Sequence, residues 1–300
     1  QQSGVQAENF GEVRVWRVPM RPRKGGGAFN LALNYLSFVI SGLFHFHRLL
    51  RETDFDAILV YAPSPITAVI PAIWLKFRKK RHLAVWVQDL WPDSLVATGF
   101  VRSRIVLKLV DRLVRWIYAA CDTLLVPSQA FIEYVATQAD RSKIVYYPNS
   151  IDVSHVSASS HQSVIENGLD LPRDLERELE GKFCLVFAGN IGTAQSIETL
   201  VEAAYLLRGL SELRIVLVGS GSMLGWAHEQ KKRRNLHNLI LAGRYPAHMM
   251  PVFYRRAHGL LVSLRNEPVF SYTIPSKVQA YLAAGRPIIA ALNGEGARVV

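Results

Sequence analysis

Short apolar runs with the length of buried strands alternate with helix-like stretches along most of the chain. The runs are apolar throughout, which is typical of strands that are covered on both faces. They fall at residues 57–61, 83–87, 123–126, 184–188, 213–218, 239–242, 259–262 and 287–291. Helical stretches, for example 66–76 and 105–118, separate them. This βαβ rhythm predicts an α/β fold built on doubly wound parallel sheets.

The length of the chain and its polar middle predict two domains. At about 150 residues per domain, the 300 residues suffice for two, and half of them are hydrophobic. Residues 154–180 are rich in polar side chains and are predicted to be a linker or a surface insertion. We therefore expect domains at 1–172 and 173–300. Because the chain starts in a predicted loop and stops in an apolar run, we expect both domains to be truncated.

The positive charge is concentrated in the first half. The chain has a formal net charge of +11, of which residues 1–150 carry +8 (19 basic and 11 acidic side chains). The densest run comprises Lys76, Arg78, Lys79, Lys80 and Arg81. A basic surface of this kind attracts nucleic acid, anionic lipid or a phosphorylated substrate, although a solvated helix end has the same composition.

Residues 29–46 form an apolar stretch without a charged side chain. With 18 residues it is borderline for a membrane span, which needs about 20. We predict a helix that packs on the sheet; the alternative is a helix whose exposed side also touches a bilayer.

The two cysteines, Cys121 and Cys184, lie in apolar stretches without neighbours that ligate metals. This usage predicts a reduced, cytoplasmic protein without a disulfide framework.

Glycines follow two successive predicted strands. Gly189 and Gly192 flank Asn190 after the strand 184–188, and Gly219 and Gly221 follow the strand 213–218. Both turns are expected at the carboxyl edge of one sheet, where backbone amides at a helix start suit a phosphate. The second turn lacks the third glycine of a dinucleotide fingerprint, so it is weak as an NAD site.

A third segment, residues 272–287, is predicted to be a helix that Gly285 ends before the last strand. Pro275 or Ser276 starts this helix, with the serine hydroxyl as its cap. Lys277 then lies in the first turn, where the helix dipole disfavours a cation. A cation in this position indicates an anionic ligand beside it; otherwise it is a solvent-facing lysine.

In the first half, polar residues follow the strand 83–87. Asp89, Trp91 and Asp93 are predicted to line part of a cleft wall. The alternative is that Asp93 only caps a helix and Asp89 only forms a turn.

Together these segments resemble the retaining glycosyltransferases of family 4, which have the GT-B fold. The resemblance rests on residues 126–128 followed by 147–152, on the turn 189–195, and on residues 275–287 with their Ala-Ala-Gly-Arg-Pro ending. Residues 88–94 look like a bacterial subgroup that includes N-acetyl-fucosamine (6-deoxy-amino-sugar) transferases of capsule, O-antigen and colanic-acid assembly. The resemblance covers nearly the whole chain.

The resemblance implies two Rossmann-like domains facing a cleft, an acceptor-binding one and a nucleotide-sugar-binding one. It implies transfer of an amino or deoxy-amino sugar from a nucleoside diphosphate, most simply UDP, with retained configuration and with neither metal nor cofactor. The acceptor would be a glycan or a polyprenyl-diphosphate-linked sugar, handled by a cytoplasmic protein at the inner face of the plasma membrane. The basic first half and residues 29–46 suit such a peripheral position.

The resemblance also implies roles for individual residues. The donor would be held by Gly189, Asn190, Gly192, Gln195, Gly219, Gly221, Arg244, Glu267, Tyr272, Ile274, Pro275 and Ser276, and the acceptor by Trp91 and Asp93. Asp89 would lie near the reacting carbon, and Lys277 would stabilise the leaving diphosphate.

The chain departs from the family pattern at several of these positions. Asn190 and Gln195 stand where many members have arginine and lysine, and Tyr272 and Ala280 stand where they have paired glutamates. Lys277 is expected to supply the missing cation. A GT-B sugar-nucleotide epimerase and a nucleotide-sugar-binding protein without transfer activity remain alternatives, and a nucleic-acid-binding role ranks last.

Overall fold

The computed structural model describes residues 4–22, 28–99, 101–151 and 170–300. The chain divides into two compact units, Gln1–Pro148 and Asn149–Val300. Most of the predicted linker, up to residue 169, lies outside the described residues. The boundary between residues 172 and 173 therefore stays a prediction.

The first unit begins with a β-hairpin. Strands β1 (Gln6–Phe10) and β2 (Val13–Arg17) pair antiparallel around a turn in which Gly11 has a φ of +60°. The sequence analysis does not predict this hairpin. Both strands are largely exposed, so neither carries the apolar run from which buried strands are identified.

The sheet of the first unit has four parallel strands in the order β3-β4-β5-β6. They are β3 (Ala57–Ala62), β4 (His82–Val87), β5 (Thr123–Val126) and β6 (Ile144–Tyr146). The helices are α1 (Ala28–Leu49), α2 (Ile70–Lys79), α3 (Asp93–Ala97), α4 (Arg104–Ala120) and α5 (Gln129–Ala136), and a 3-10 turn, Ile66–Val69, precedes α2. Three predicted strands are confirmed to within one residue. The short β6 was not predicted, because two of its three residues are exposed.

Helix α1 is longer than predicted. Its closest backbone contacts are with the 3-10 turn and α2. The reason is local: a Cβ at Gly42 would lie 2.7 Å from Pro71 at the start of α2, so only glycine allows the two helices to come this close. Residues Phe29–Leu49 are long and apolar enough to cross a membrane, yet only 17% of their most apolar window is buried.

The second unit contains five parallel strands in the order β11-β10-β7-β8-β9. They are β7 (Phe183–Ala188), β8 (Leu213–Val218), β9 (Leu239–Gly243), β10 (Gly259–Ser263) and β11 (Ile288–Ala291). The helices are α6 (Arg173–Leu179), α7 (Ile197–Leu206), α8 (Leu224–Arg233), α9 (Met250–Arg256), α10 (Pro268–Ser271), α11 (Ser276–Ala283) and α12 (Glu295–Val299). All five predicted strands of this half are confirmed, with ends shifted by at most one residue.

Alternate residues of each strand face opposite sides of this sheet. Cys184 and Val186 of β7 pack in a core with α9 and α11, whereas Phe187 packs in a second core with α7 and α8. This two-sided burial is the physical reason for the continuous apolar runs in the sequence.

The strand order reverses beside β7. The chain runs from β7 outward through β8 to β9, and then returns to place β10 on the other side of β7. In open α/β sheets such a reversal leaves a crevice at the carboxyl ends of the two strands, which is where ligands bind. We therefore look for the site between the ends of β7 and β10.

Both cysteines are buried, one in each unit, and neither forms a disulfide. Burial raises the pKa of the Cys121 thiol to about 12 and also raises that of Cys184.

Candidate functional site

The two glycine turns lie against each other at the carboxyl edge of the second sheet. The amide of Gly189 donates to the carbonyl of Val218 (2.9 Å), and the amide of Ile191 donates to the carbonyl of Ser220 (2.9 Å). Gly189 and Gly219 have φ values of +145° and +148°. A Cβ on Gly219 would overlap the carbonyl oxygen of Gly189, so only glycine fits. Gly221 is similarly close to the carbonyl of Ile191.

The segment after Gly189 forms a 3-10 turn, Thr193–Gln195, before α7 begins. Ser196 adopts a left-handed φ of +46° and separates the 3-10 turn from α7, so the predicted order of strand, turn and helix is confirmed. The Ser263 hydroxyl, at the end of β10, donates to the carbonyl of Gln195 (2.6 Å). The Asn190 side chain donates to the Gln195 side chain (3.3 Å). The turn is thus attached to both strands that border the crevice.

Lys277, the second residue of α11, points its ammonium group at this turn. Its Nζ lies 3.6 Å from the ring centroid of Phe187, and 3.5 Å from where a Cβ of Gly189 would lie. The Nζ is buried and has no hydrogen-bond partner among the described residues. Burial lowers the pKa of Lys277 to about 7. A buried cation without a hydrogen bond or a neighbouring anion is costly, which indicates that a ligand supplies the missing negative charge.

Tyr281, one helical turn after Lys277, holds the end of β7. Its hydroxyl accepts a hydrogen bond from the amide of Ala188 (2.9 Å) and donates to the carbonyl of the same residue (3.3 Å). Sequence reasoning assigned it no role, since a tyrosine on an apolar helix face looks like an ordinary core residue. Because Ala188 immediately precedes Gly189, Tyr281 positions the glycine turn relative to Lys277.

We expect Tyr281→Phe to destabilise the second unit by about 1–3 kcal/mol, because the buried Ala188 amide loses its acceptor. Ligand affinity at the Gly189 turn should also fall severalfold. Urea unfolding together with calorimetric titration would measure both effects. Tyr254→Phe is the matched control, since Tyr254 packs in the same core but its hydroxyl makes no hydrogen bond within the described residues. Equal losses of stability and of ligand affinity in Tyr281→Phe and Tyr254→Phe would contradict a positioning role for Tyr281.

The start of α11 differs from the prediction. Pro275 is the N-cap residue, no side chain caps the helix, and Ser276 is its exposed first residue, so the predicted serine cap is wrong. Pro275 is buried and Ile274 packs against the core, so both anchor the helix start. Tyr272 is the C-cap residue that follows α10, four residues before α11 begins. The side chain of Ser276 is therefore exposed in the first turn of α11.

Two further predicted residues follow strands of the same edge. Arg244 is exposed directly after β9, and the carbonyl of its neighbour Gly243 accepts a hydrogen bond from the amide of Gly219 (2.7 Å). Glu267 follows β10 and makes no side-chain hydrogen bond among the described residues. The loop that carries it is attached to α7 by an ion pair between Arg265 and Glu198 (2.8 Å).

In the first unit, Asp89 and Trp91 follow β4. The indole Nε1 of Trp91 donates to Asp89 (3.1 Å). Burial raises the pKa of Asp89, and the hydrogen bond from Trp91 opposes that shift. Asp93 is the first residue of α3, but Pro92 is the N-cap residue and no side chain caps the helix, so the alternative of a capping Asp93 is wrong. Asp93 instead hydrogen-bonds Tyr134. These residues are at the carboxyl edge of their own sheet.

The second unit thus combines permissive backbone turns with one buried cation at the reversal of its strand order, an arrangement that suits a phosphorylated ligand. No cluster of three or more metal-ligating side chains occurs within the described ranges. The fold and the site define an α/β protein with a candidate site for a phosphorylated ligand.

Family comparison specifies the class further. Residues 1–150 match the model of the glycosyl transferase 4-like domain, and residues 182–300 match that of the glycosyl transferases group 1. The chain belongs to the glycosyltransferase family with the GT-B fold.

Two curated relatives are similar in sequence. "Probable glycosyltransferase WbjE" of Pseudomonas aeruginosa is 25% identical over 215 residues, which is 71% of this chain and 51% of the relative. "Putative colanic acid biosynthesis glycosyl transferase WcaI" of Escherichia coli K12 is 23% identical over 282 residues, which is 92% of this chain and 66% of the relative. The chain thus spans between half and two thirds of the length of these relatives.

Solved structures share the fold at low identity. An α,α-trehalose-phosphate synthase (UDP-forming) from Burkholderia vietnamiensis has a TM-score of 0.72 at 12% identity. The superposed region is 99% of this chain and 74% of the synthase chain. Anabaena Alr3699/HepE in complex with UDP has a TM-score of 0.60 at 16% identity. The superposed region is 90% of this chain and 67% of the HepE chain.

Proposed function

We propose that the protein transfers a sugar from a nucleoside diphosphate to an acceptor in the synthesis of a cell-surface polysaccharide. The observation that carries this proposal is the buried, unpartnered ammonium of Lys277 beside the Gly189 turn. The two phosphates of a nucleotide sugar provide the negative charge that this ammonium lacks. UDP is the proposed nucleotide, in keeping with the UDP complex of HepE.

In this mechanism the second unit holds the donor. The sugar–phosphate bond breaks, and the departing UDP carries its new negative charge toward Lys277, with Arg244 as a second cation. Stabilising the charge on a leaving group is the main electrostatic task of such a site. A hydroxyl oxygen of the acceptor bonds to the anomeric carbon on the face from which UDP departs, so the configuration is retained.

The proton of the attacking hydroxyl needs an acceptor. Asp89 is the proposed polar group near the reacting carbon, because its raised pKa brings it closer to the range in which a carboxylate can take up and release a proton. Trp91 and Asp93 are proposed to contact the acceptor. The name of WcaI, a putative colanic acid biosynthesis glycosyl transferase, supports polysaccharide assembly, and an amino or deoxy-amino sugar is the proposed donor group.

The acceptor is proposed to be a glycan, in its simplest form a sugar linked to a polyprenyl diphosphate. The net charge of +8 on residues 1–150 supports work by a cytoplasmic protein at an anionic membrane surface. The apolar helix α1, which is largely unburied, supports the same location.

Calorimetric titration with UDP, GDP and their glucose conjugates tests the donor proposal. We expect one nucleotide to bind at least tenfold more tightly than the other, and we expect Asp89→Asn to leave this affinity unchanged while sugar transfer to a membrane-lipid extract is lost. Selective binding without transfer by the unaltered protein would favour the alternative of a nucleotide-sugar-binding protein. Binding of neither nucleotide would refute both.

A further inference from the structure

The loop between β4 and α3, which carries Asp89 and Trp91, is held by side chains from the end of α5. Gln138, two residues after α5, donates its side-chain amide to the backbone carbonyl of Trp91 (3.2 Å). Tyr134, within α5, hydrogen-bonds Asp93 at the start of α3. The loop is therefore attached to this part of the chain at two points.

Gln138 has a second acceptor, the Asp111 carboxylate of α4 (2.8 Å). Asp111 also accepts a hydrogen bond from Arg115 (2.8 Å), and the same guanidinium donates to the carbonyl of Thr137 (2.7 Å). Burial raises the pKa of Asp111, but the hydrogen bonds from Arg115 and Gln138 bring that pKa below its usual range. Asp111 is therefore ionised near neutral pH. Because the carboxylate and the Trp91 carbonyl both need a donor, the NH₂ group of Gln138 faces them.

This orientation leaves the amide oxygen of Gln138 without a partner. The residue is only 8% exposed, and its Oε1 makes no hydrogen bond among the described residues. A buried acceptor without a donor costs stability, whereas an apolar side chain of similar length would fill the same space without that cost. Packing alone therefore does not explain a glutamine at this position. What the glutamine adds is a fixed position for the Trp91 carbonyl.

The backbone of Trp91 in turn determines where its indole lies. Trp91 is buried, and its Nε1 donates to the Asp89 carboxylate (3.1 Å). A displaced Trp91 backbone would carry the indole away from Asp89. In enzymes, a displacement of about 1 Å caused by a substitution outside the reacting groups can lower the rate roughly a hundredfold.

We propose that Gln138 is a positioning residue for the loop between β4 and α3, which it holds so that the Trp91 indole stays hydrogen-bonded to Asp89. Asp111 and Arg115 act behind Gln138 by fixing the orientation of its amide. This inference rests on the proposed function, because Asp89 is the proposed polar group near the reacting carbon.

The nuclear magnetic resonance of the Trp91 indole N–H group tests this role without an assay of transfer. In protein labelled with ¹⁵N-tryptophan, Trp91→Phe identifies this resonance among those of the six tryptophans. The resonance should shift with pH as Asp89 titrates, because protonation removes the charge that the indole faces. Tyr118 of α4 also interacts with Asp89, but burial raises the pKa of Tyr118 well above its usual range, so this tyrosine stays neutral during the titration.

Gln138→Met removes both hydrogen bonds and keeps most of the side-chain volume. We expect this variant to reduce the pH-dependent shift of the Trp91 indole at least twofold. It should also lower kcat for sugar transfer to a membrane-lipid extract at least tenfold, without weakening the binding of UDP-glucose to the second unit. Gln230→Met is the matched control, since Gln230 is also buried but hydrogen-bonds Arg233 in the second unit (2.7 Å). The control should change neither the indole shift nor kcat.

Asp111→Asn is a second variant that keeps the test decisive if Gln138→Met does not fold. It preserves the shape of the side chain and removes the charge that orients the Gln138 amide. The indole shift should therefore decrease, but less than in Gln138→Met. An unchanged indole shift in a folded Gln138→Met or Asp111→Asn protein would overturn the proposal, and so would an equal decrease in Gln230→Met.

The two readouts separate this inference from the proposed function. If the unaltered protein transfers no sugar while its Trp91 indole responds to Gln138→Met, Gln138 still positions Trp91 and only the transferase proposal falls. If sugar is transferred and Gln138→Met changes neither the indole shift nor kcat, only the positioning role falls.

Discussion

Replacing Lys277 with methionine is expected to lower the affinity for UDP-glucose at least thirtyfold while raising the midpoint of thermal unfolding. The loss corresponds to about 2 kcal/mol, typical for removing one partner of a buried charge pair. The gain in stability arises because the folded protein no longer buries an amine without a partner. Calorimetric titration and thermal unfolding measure the two effects.

Lys232→Met is the matched control for this variant. Lys232 is an exposed lysine on α8, so the substitution removes the same formal charge from the same unit. Lys232→Met should change neither the affinity for UDP-glucose nor the midpoint of thermal unfolding appreciably. A Lys277→Met protein that binds UDP-glucose normally would refute the proposed donor site.

The pH dependence provides a second readout of the same group. UDP-glucose has no group that titrates near neutrality, whereas the pKa of Lys277 is lowered to about 7. Affinity should therefore fall as the pH rises above about 7, and only in proteins that retain Lys277. Between that value and the ordinary lysine value of 10.5, the unfolded chain binds more protons, so stability should rise with pH through this window. In Lys277→Met both dependences should be lost.

Gly219→Ala is expected to destabilise the second unit by at least about 3 kcal/mol. The added Cβ would overlap the carbonyl oxygen of Gly189, and the φ of +148° is unfavourable for alanine. The backbone of the two turns must shift, so donor binding should be lost as well. Chemical denaturation followed by far-ultraviolet circular dichroism measures the stability.

Gly225→Ala tests whether this effect depends on the site. Gly225 lies inside α8, where a Cβ meets no atom within 4 Å, so alanine should stabilise the helix by about 0.5–1 kcal/mol. A Gly219→Ala protein as stable as Gly225→Ala would contradict the close contact between the Gly189 and Gly219 turns.

The parallel strands could be predicted because their side chains are buried on both faces and leave continuous apolar runs. The hairpin of β1 and β2 leaves no such signal, since its residues are exposed. Lys277 could be predicted from the conflict between its charge and the helix dipole. Tyr281 could not, because its bond to Ala188 joins residues 93 positions apart.

The burial of both native thiols makes the chain suitable for site-specific labelling. A thiol reacts as its thiolate, and the raised pKa values of Cys121 and Cys184 keep that form scarce near neutral pH. A cysteine introduced at an exposed position will therefore react with a maleimide dye well before either native residue does. Ser276→Cys would place a fluorophore beside Lys277. Nucleotide binding can then be followed by an optical signal while both native thiols stay unlabelled.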